Sequence, residues 1–197
     1  MQSTTKLVFP PKLLEILSAH MALVESQGSP KVPTFTSDKL SIYDFFERHK
    51  DEIQKKMTNS NTSTDLTACC IQFFLEMIEQ ACSAPSLISA KERKYYASFV
   101  NPRMKQREHE KGVSGKRERE ETIVLDSVQY RLSRVLPMEY FLRFCFSLPY
   151  VVDHYVSLAG GSLPSYADAP LWDCVNASLS VLSQLDVFSD TNTYLSV

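Results

Sequence analysis

The hydrophobic positions of this chain follow a helical period over most of its length. The clearest example runs from residue 65 to 82, where apolar side chains recur at alternating spacings of three and four. That period places them on one face of an α-helix. The positions on this stripe are Leu66, Cys69, Cys70, Phe73, Phe74, Met77, Ile78 and Ala81. Because such a helix is stable only when its stripe is covered, the pattern predicts other helices around it.

Further segments supply those helices. Helices are predicted over residues 11–25, 38–56, 90–99, 137–158 and 170–188. Pro10 and Pro11 suit the opening turn of the first helix, and Ser37 or Asp38 is expected to cap the second. Residues 28–36 contain too much proline for a helix, so they predict a short β-hairpin. The fold class is therefore mainly α.

Three polar stretches predict loops, at residues 56–64, 101–122 and 160–165. The second stretch carries most of the chain's charge and has almost no apolar residue, which predicts a flexible, solvated insertion. Its segment Lys116–Arg119 would serve as a nuclear-import signal or as a contact for phosphates. The interleaved glutamates favour a plain solvated loop, and contact with nucleic acid stays open.

Composition limits the remaining possibilities. A chain of 197 residues, 44% hydrophobic and 22% charged, predicts one compact domain over residues 1–197. Its net charge of −2 gives no general attraction to nucleic acid or membranes. Glu139 and Arg143 interrupt the most apolar run, 135–152, which argues against a membrane span. Five cysteines without a Cys-x-x-Cys pair predict buried free thiols in a reducing compartment.

Enzymatic signatures are missing from the sequence. It contains no phosphate-binding loop, no dinucleotide fingerprint, no His-Glu-x-x-His and no Gly-x-Ser-x-Gly. Asp153 and His154 are neighbours, but neighbours on a helix point about 100° apart, so His154 is interpreted as a surface histidine. The other histidines lie on separate segments. We therefore expect no catalytic residue, no cofactor and no metal site.

Residues 132–149 resemble the signature of MRG domains, roughly S-x-[IV]-Y-G-x-x-H-L-L-R-L-F-V-x-L-P. The matching positions are Ser133, Val135, Leu142, Arg143, Leu148 and Pro149. Three further stretches are similar to MRG motifs in order and spacing. They are Phe9-Pro10 with Leu13, Leu17 and Leu23-Val24; Glu92-Arg93 with Tyr96; and Val187-Phe188 with Tyr194.

The chain also departs from this family's pattern. Met21 stands where the family has a tryptophan, Leu136-Pro137 replaces Tyr-Gly, and Tyr140 replaces a histidine. The chromodomain that precedes many MRG domains has no counterpart here, and no aromatic cage can be assigned. Methyl-lysine recognition is therefore not predicted.

The resemblance implies a nuclear, non-catalytic scaffold in a histone acetyltransferase or deacetylase complex. MRG domains bind other subunits through a shallow apolar groove that accepts short Phe-x-Leu-Pro-type segments, and through a second surface for helices. Carried over by position, the groove residues are Phe9, Leu17, Ser18, Met21 and Arg143. The alternative is that the apolar ones are ordinary core residues and that Arg143 pairs with Glu139.

Two other functions stay open at this stage. One is a helical interaction subunit of an unrelated assembly, and the other is a hydrolase or transferase whose site forms only on folding. An MRG domain should pack residues 9–24 against 137–158, with Phe9, Leu17 and Met21 bordering one apolar groove. An enzyme should instead show a deep pocket with at least two converging ionisable side chains.

Overall fold

The computed structural model describes residues 7–26, 29–57, 64–83, 87–113, 132–158 and 165–197. The fold is mainly α, as predicted. The helices are α1 (Pro11–Val24), α2 (Ile42–Lys56), α3 (Thr64–Ser83), α4 (Ala90–Val113), α5 (Met138–Leu158) and α6 (Ser165–Leu182). None of these helices, within the described ranges, is long and apolar enough to cross a bilayer.

A short antiparallel strand pair completes the fold. Strand β1 (Lys31–Val32) lies inside the range predicted to hold strands. Its partner β2 (Leu195–Ser196) comes from the other end of the chain, with Val32 opposite Leu195. The pair therefore ties the segment after α1 to the last residues of the sequence.

An aromatic core joins α2, α3 and α5. The rings of Phe46 and Phe141 meet edge to face with centroids 5.3 Å apart, and those of Phe74 and Phe144 meet at 6.3 Å. All four side chains are buried. Such contacts add about 0.5–1.5 kcal/mol each beyond the burial of apolar area. The first half of α5 thus lies at the centre of the core.

The turn before α5 is fixed by two other helices. The Glu79 carboxylate of α3 accepts hydrogen bonds from the Ser133 backbone N–H at 2.7 Å and from the Ser133 hydroxyl at 2.9 Å. The Ser133 and Leu136 carbonyls accept from the backbone N–H groups of Tyr43 and Ile42 at the start of α2. Ser133 therefore orients the chain as it enters α5.

Helices α2 and α6 differ from the prediction in three of their ends. Helix α2 begins at Ile42 rather than residue 38, because Ser41 is its N-cap and its hydroxyl accepts from the Asp44 N–H at 3.1 Å. Helix α6 begins at Ser165 and ends at Leu182, whereas 170–188 was predicted. The apolar residues that follow Leu182 pack on the core without continuing the helix, so their period was misleading.

The buried face of α3 is rotated from the predicted stripe. Leu66 and Phe73 are 37% and 39% exposed, and Cys69 is exposed as well. Ile71 and Leu75, which the stripe left out, are completely buried. The prediction that all cysteines are buried is therefore wrong for Cys69. The error arises because apolar residues also occupy the neighbouring face of α3, so the hydrophobic pattern alone did not decide which of the two faces is buried.

The loop predicted to begin at residue 101 is wrong for its first half. Helix α4 continues through Pro102 to Val113. Lysine, arginine, glutamate and glutamine have high helix propensity, so a charged segment without apolar period still forms a helix. The remainder of the predicted insertion, 114–122, lies outside the described residues, as do 58–63 and 160–164 of the other two predicted loops.

Residues 183–197, which we call the C-terminal strap, run back across the domain. The Ser189 N–H donates to the buried Glu139 carboxylate at 2.6 Å, and Lys39 Nζ donates to the Ser189 hydroxyl at 3.0 Å. The Tyr194 hydroxyl lies 3.0 Å from Nδ1 of His20 in α1. Burial raises the pKa of Glu139, although the hydrogen bonds from Ser189 oppose this. The strap thus supplies hydrogen-bond partners to two buried polar side chains, Glu139 and His20.

His20 makes stability depend on pH. Burial, and then the charge of Arg143, lower the pKa of His20 from 6.5 to about 3. The unfolded chain therefore binds a proton below pH 6.5 that the folded chain refuses, so stability is complete above this pH and is lost as the pH falls toward 3. Relative to His20→Gln, the wild-type free energy of unfolding should fall by about 2 kcal/mol more between about pH 7 and pH 5. Urea titrations at both pH values measure this difference, with the exposed His154→Gln as control. Equal slopes for wild type and His20→Gln would contradict it.

Candidate functional site

Helices α1 and α5 pack together and leave an open cleft between them, with a volume of about 350 Å³. Its lining residues are Leu14, Leu17, Ser18, Met21, Glu25, Leu87, Arg143, Phe146 and Ser147. Spacings of three and four residues bring the α1 members to one helical face, and the same holds for the α5 members. Leu87 closes the cleft from the segment before α4.

Four of the five residues named from the sequence lie in this cleft: Leu17, Ser18, Met21 and Arg143. Phe9 lies beside it rather than in it. The Phe9 ring meets the Phe146 ring edge to face, with centroids 6.4 Å apart. The structure therefore brings the predicted residues of the first helix against the predicted arginine of α5.

The walls of the cleft combine buried and exposed apolar side chains. Leu17 is buried and Met21 is half-buried, whereas Leu14 is 38% and Phe146 is 54% exposed. Tyr150, further along α5, is also largely exposed. Apolar surface of this kind gains free energy when another apolar group displaces the water from it.

Sequence reasoning missed part of this lining. Leu14 lies one turn before Ser18, and Phe146 lies one turn after Arg143. The helical period alone could have found both residues. No local pattern pointed to Leu87, because only the tertiary fold brings it to the cleft.

Arg143 is held by two fixed contacts at the edge of the cleft. Its Nη1 donates to Glu92 Oε1 at 2.7 Å, and its Nη2 donates to the Leu87 carbonyl. The alternative pairing with Glu139 is wrong, since Glu139 accepts from the Ser189 backbone instead. Tertiary packing overrides the one-turn spacing between Glu139 and Arg143.

Glu92 is buried and hydrogen-bonded through both of its carboxylate oxygens. Oε1 also accepts from the Tyr140 hydroxyl at 2.9 Å, and Oε2 accepts from the Ser89 N–H at 2.7 Å. The Ser89 hydroxyl in turn accepts from the Glu92 N–H, which forms a capping box at the start of α4. Glu92 thereby connects the first turn of α4 to Arg143 and Tyr140 of α5.

Aromatic rings pack around Tyr140, whose hydroxyl is hydrogen-bonded to Glu92. The Tyr140 ring lies edge to face between those of Tyr96 and His20, with centroids 5.2 Å from each. The Tyr96 hydroxyl donates to the Pro33 carbonyl at 2.7 Å. Two of the stretches that resemble MRG motifs, one with Glu92 and Tyr96 and the other with Arg143, therefore lie next to each other in the fold.

Burial raises the pKa of two groups close to these contacts, Tyr140 and Cys82. It raises the pKa of Tyr140 well above its usual value, chiefly by desolvation and then by the neighbouring Tyr96 and Glu92. It also raises the pKa of Cys82 to about 12, with Glu79 adding to the effect. Both groups stay protonated at neutral pH. The ionisable residues that line the cleft itself are Glu25 and Arg143, and the charge of Arg143 is paired with Glu92.

What this arrangement can do is bury apolar side chains and donate hydrogen bonds. Among the described residues, no three metal-ligating side chains come together. No family model matches the sequence, and the search of curated proteins found no match either. The structure defines a mainly α domain with an open cleft that apolar and polar side chains line together. The MRG resemblance stays a prediction.

Substitution of Glu92 tests how much its hydrogen bonds to Arg143, Tyr140 and Ser89 contribute to the stability of the fold. Glu92→Ala leaves the charge of Arg143 and the hydroxyl of Tyr140 buried without their acceptor, so we expect a loss of about 3–5 kcal/mol in the free energy of unfolding. Glu52→Ala is the control, because Glu52 is 45% exposed in its contact with His49 and should cost at most about 1 kcal/mol. Urea denaturation of both variants measures the difference. Equal losses would show that the buried pair is not the stronger one.

Proposed function

We propose that this chain is a non-catalytic adaptor of the MRG type, and that its α1–α5 cleft binds short hydrophobic segments of other subunits in a chromatin-modifying complex. The observation that carries this proposal is the cleft itself. Partly exposed apolar side chains, Leu14, Met21 and Phe146, line the same cleft as an arginine whose position is already fixed.

Apolar anchors supply most of the binding free energy in this proposal. A leucine or phenylalanine side chain that becomes fully buried contributes about 1.5–3 kcal/mol. A few such anchors, with hydrogen bonds beside them, are typical of short segments that bind in grooves. Met21 suits this role because its unbranched side chain adapts to differently shaped anchors.

Arg143 supplies the polar part of recognition. A guanidinium has five N–H donors, of which Glu92 and Leu87 engage one each on Nη1 and Nη2. The donors that remain are suited to a backbone carbonyl of an extended segment. Because Glu92 already immobilises the side chain, little further conformational entropy is lost when a segment binds.

The chromatin context rests on the sequence motifs. An MRG domain was expected to pack residues 9–24 against 137–158, and α1 and α5 do contact each other. Phe9, Leu17 and Met21 all lie in or beside the cleft between them. This geometry supports the resemblance, and the function implies a nuclear location and partners among acetyltransferase or deacetylase subunits.

A charge on the apolar lining of the cleft should abolish partner capture. Met21→Asp places a carboxylate among the apolar side chains, while Met21 is only half-buried, so the fold should be retained. Ala19→Asp is the matched control, since Ala19 is exposed on α1 and does not line the cleft. Tagged wild type, Met21→Asp and Ala19→Asp are purified from nuclear extract, and their bound proteins are identified by mass spectrometry.

Acetyltransferase or deacetylase subunits should accompany wild type and Ala19→Asp but not Met21→Asp. Recovery of these subunits with all three proteins would refute the cleft as the binding site. If wild type and Ala19→Asp recover other proteins that Met21→Asp loses, the cleft is a binding site and only the chromatin context is refuted. Circular dichroism of each variant establishes that it is folded.

A direct binding measurement separates affinity from complex assembly. We expect a fluorescent peptide with a Phe-x-Leu-Pro core to bind the wild-type domain, and Met21→Asp to raise its Kd at least tenfold, or about 1.4 kcal/mol. Ala19→Asp should leave the Kd unchanged. A peptide that binds wild type and Met21→Asp equally would contradict the proposal.

A further inference from the structure

Two ionisable side chains line the α1–α5 cleft, and only one of them has its charge balanced. The Arg143 guanidinium lies 2.7 Å from the buried carboxylate of Glu92. Glu25 is exposed, and no side chain in the described ranges forms an ion pair with it. Within the part of the chain that the structure describes, the cleft therefore has one unbalanced charge, and this charge is negative.

The C-terminal end of α1 adds to this negative charge. The last carbonyl groups of a helix carry a partial negative charge, which a nearby cation stabilises. Helix α1 ends at Val24, directly before Glu25, and its last turn contains no basic residue. A cation placed beside Glu25 therefore interacts favourably both with the carboxylate and with the end of the helix.

Glu25 continues the stripe of α1 that lines the cleft. Leu14, Ser18, Met21 and Glu25 follow one another at spacings of four, three and four residues. At a rise of about 1.5 Å per residue, Met21 and Glu25 lie about 6 Å apart along the helix. In an extended segment, alternate side chains share one face and are about 6.6–7 Å apart. A residue two positions away from the anchor on Met21 therefore reaches Glu25.

We propose that the cleft selects segments in which a lysine or arginine lies two residues from an apolar anchor, and that this cation pairs with Glu25. The inference rests on the proposed function, since it names the chemistry of the segment that the same cleft binds. The apolar anchors supply the affinity, and the cation supplies the selection. An acidic residue at the same position is disfavoured, because it meets the Glu25 carboxylate and the carbonyl end of α1.

Three fluorescent peptides test this selection on the full chain. They share the Phe-x-Leu-Pro core and carry lysine, glutamine or glutamate two residues before the phenylalanine and two residues after the leucine. Either orientation of the segment then brings one of these side chains to Glu25. We expect the lysine peptide to bind with a Kd about two- to fivefold below that of the glutamine peptide, as for an exposed ion pair. The glutamate peptide should bind most weakly.

Salt should remove these differences. At about 1 M salt the screening length falls to about 3 Å, so the Kd values of the three peptides should converge.

Glu25→Lys should reverse the preference, so that the glutamate peptide binds more tightly than the lysine peptide. The variant should keep its fold, because a lysine is favourable at the C-terminal end of a helix. Glu15→Lys is the matched control. It makes the same change of charge on the same helix, but Glu15 is exposed and does not line the cleft. It should keep the wild-type order of the three peptides. Circular dichroism establishes that both variants are folded.

The outcomes separate this inference from the proposed function. Equal Kd values for the lysine and glutamate peptides on wild type would overturn the selection by charge and leave the apolar cleft as the binding site. A lysine preference that survives Glu25→Lys, or a reversal by Glu15→Lys as well, would overturn the assignment to Glu25. If none of the three peptides binds wild type, the proposed function is overturned, and this inference with it.

Discussion

The positions of α4 and α5 beside the cleft depend on the hydrogen bonds that the buried Glu92 carboxylate accepts. A buried charge is tolerated only when hydrogen bonds and an opposite charge compensate for the water it has lost. Arg143, Tyr140 and Ser89 supply that compensation, and they belong to α5 and to the start of α4. The two helices are therefore held in one relative position, and the arginine at the cleft edge is held with them.

Much of the helical fold and part of the cleft could be predicted from the sequence. Leu17, Ser18 and Met21 share a face of α1 because helical geometry requires it, whatever the tertiary structure is. The partner of Arg143 could not be predicted this way. Glu139 has the correct local spacing, but Glu92, far away in sequence, forms the ion pair. Contacts that depend on how helices pack leave no periodic signal.

The same distinction explains the incorrect helix boundaries. Ser37 and Ser41 are both suitable cap residues, and only the placement of Ile42 and Tyr43 against the Ser133 turn selects Ser41. At α4 the error was the opposite one, since a charged segment predicted as a loop is helical. The second half of α4 lacks an apolar period but is rich in lysine, arginine, glutamate and glutamine, which favour a helix. Hydrophobic pattern indicates which surfaces are buried, and it says little about where a solvated helix stops.

The C-terminal strap has a consequence for how the domain matures during translation. Tyr194 contacts His20 of the first helix, and β2 pairs with β1, so segments from opposite ends of the sequence support each other. Contacts of such long sequence separation form late, because loop closure must precede them. Until residues 194–196 have left the ribosome, α1 lacks this support. A nascent chain therefore completes its cleft only after the strap has been synthesised.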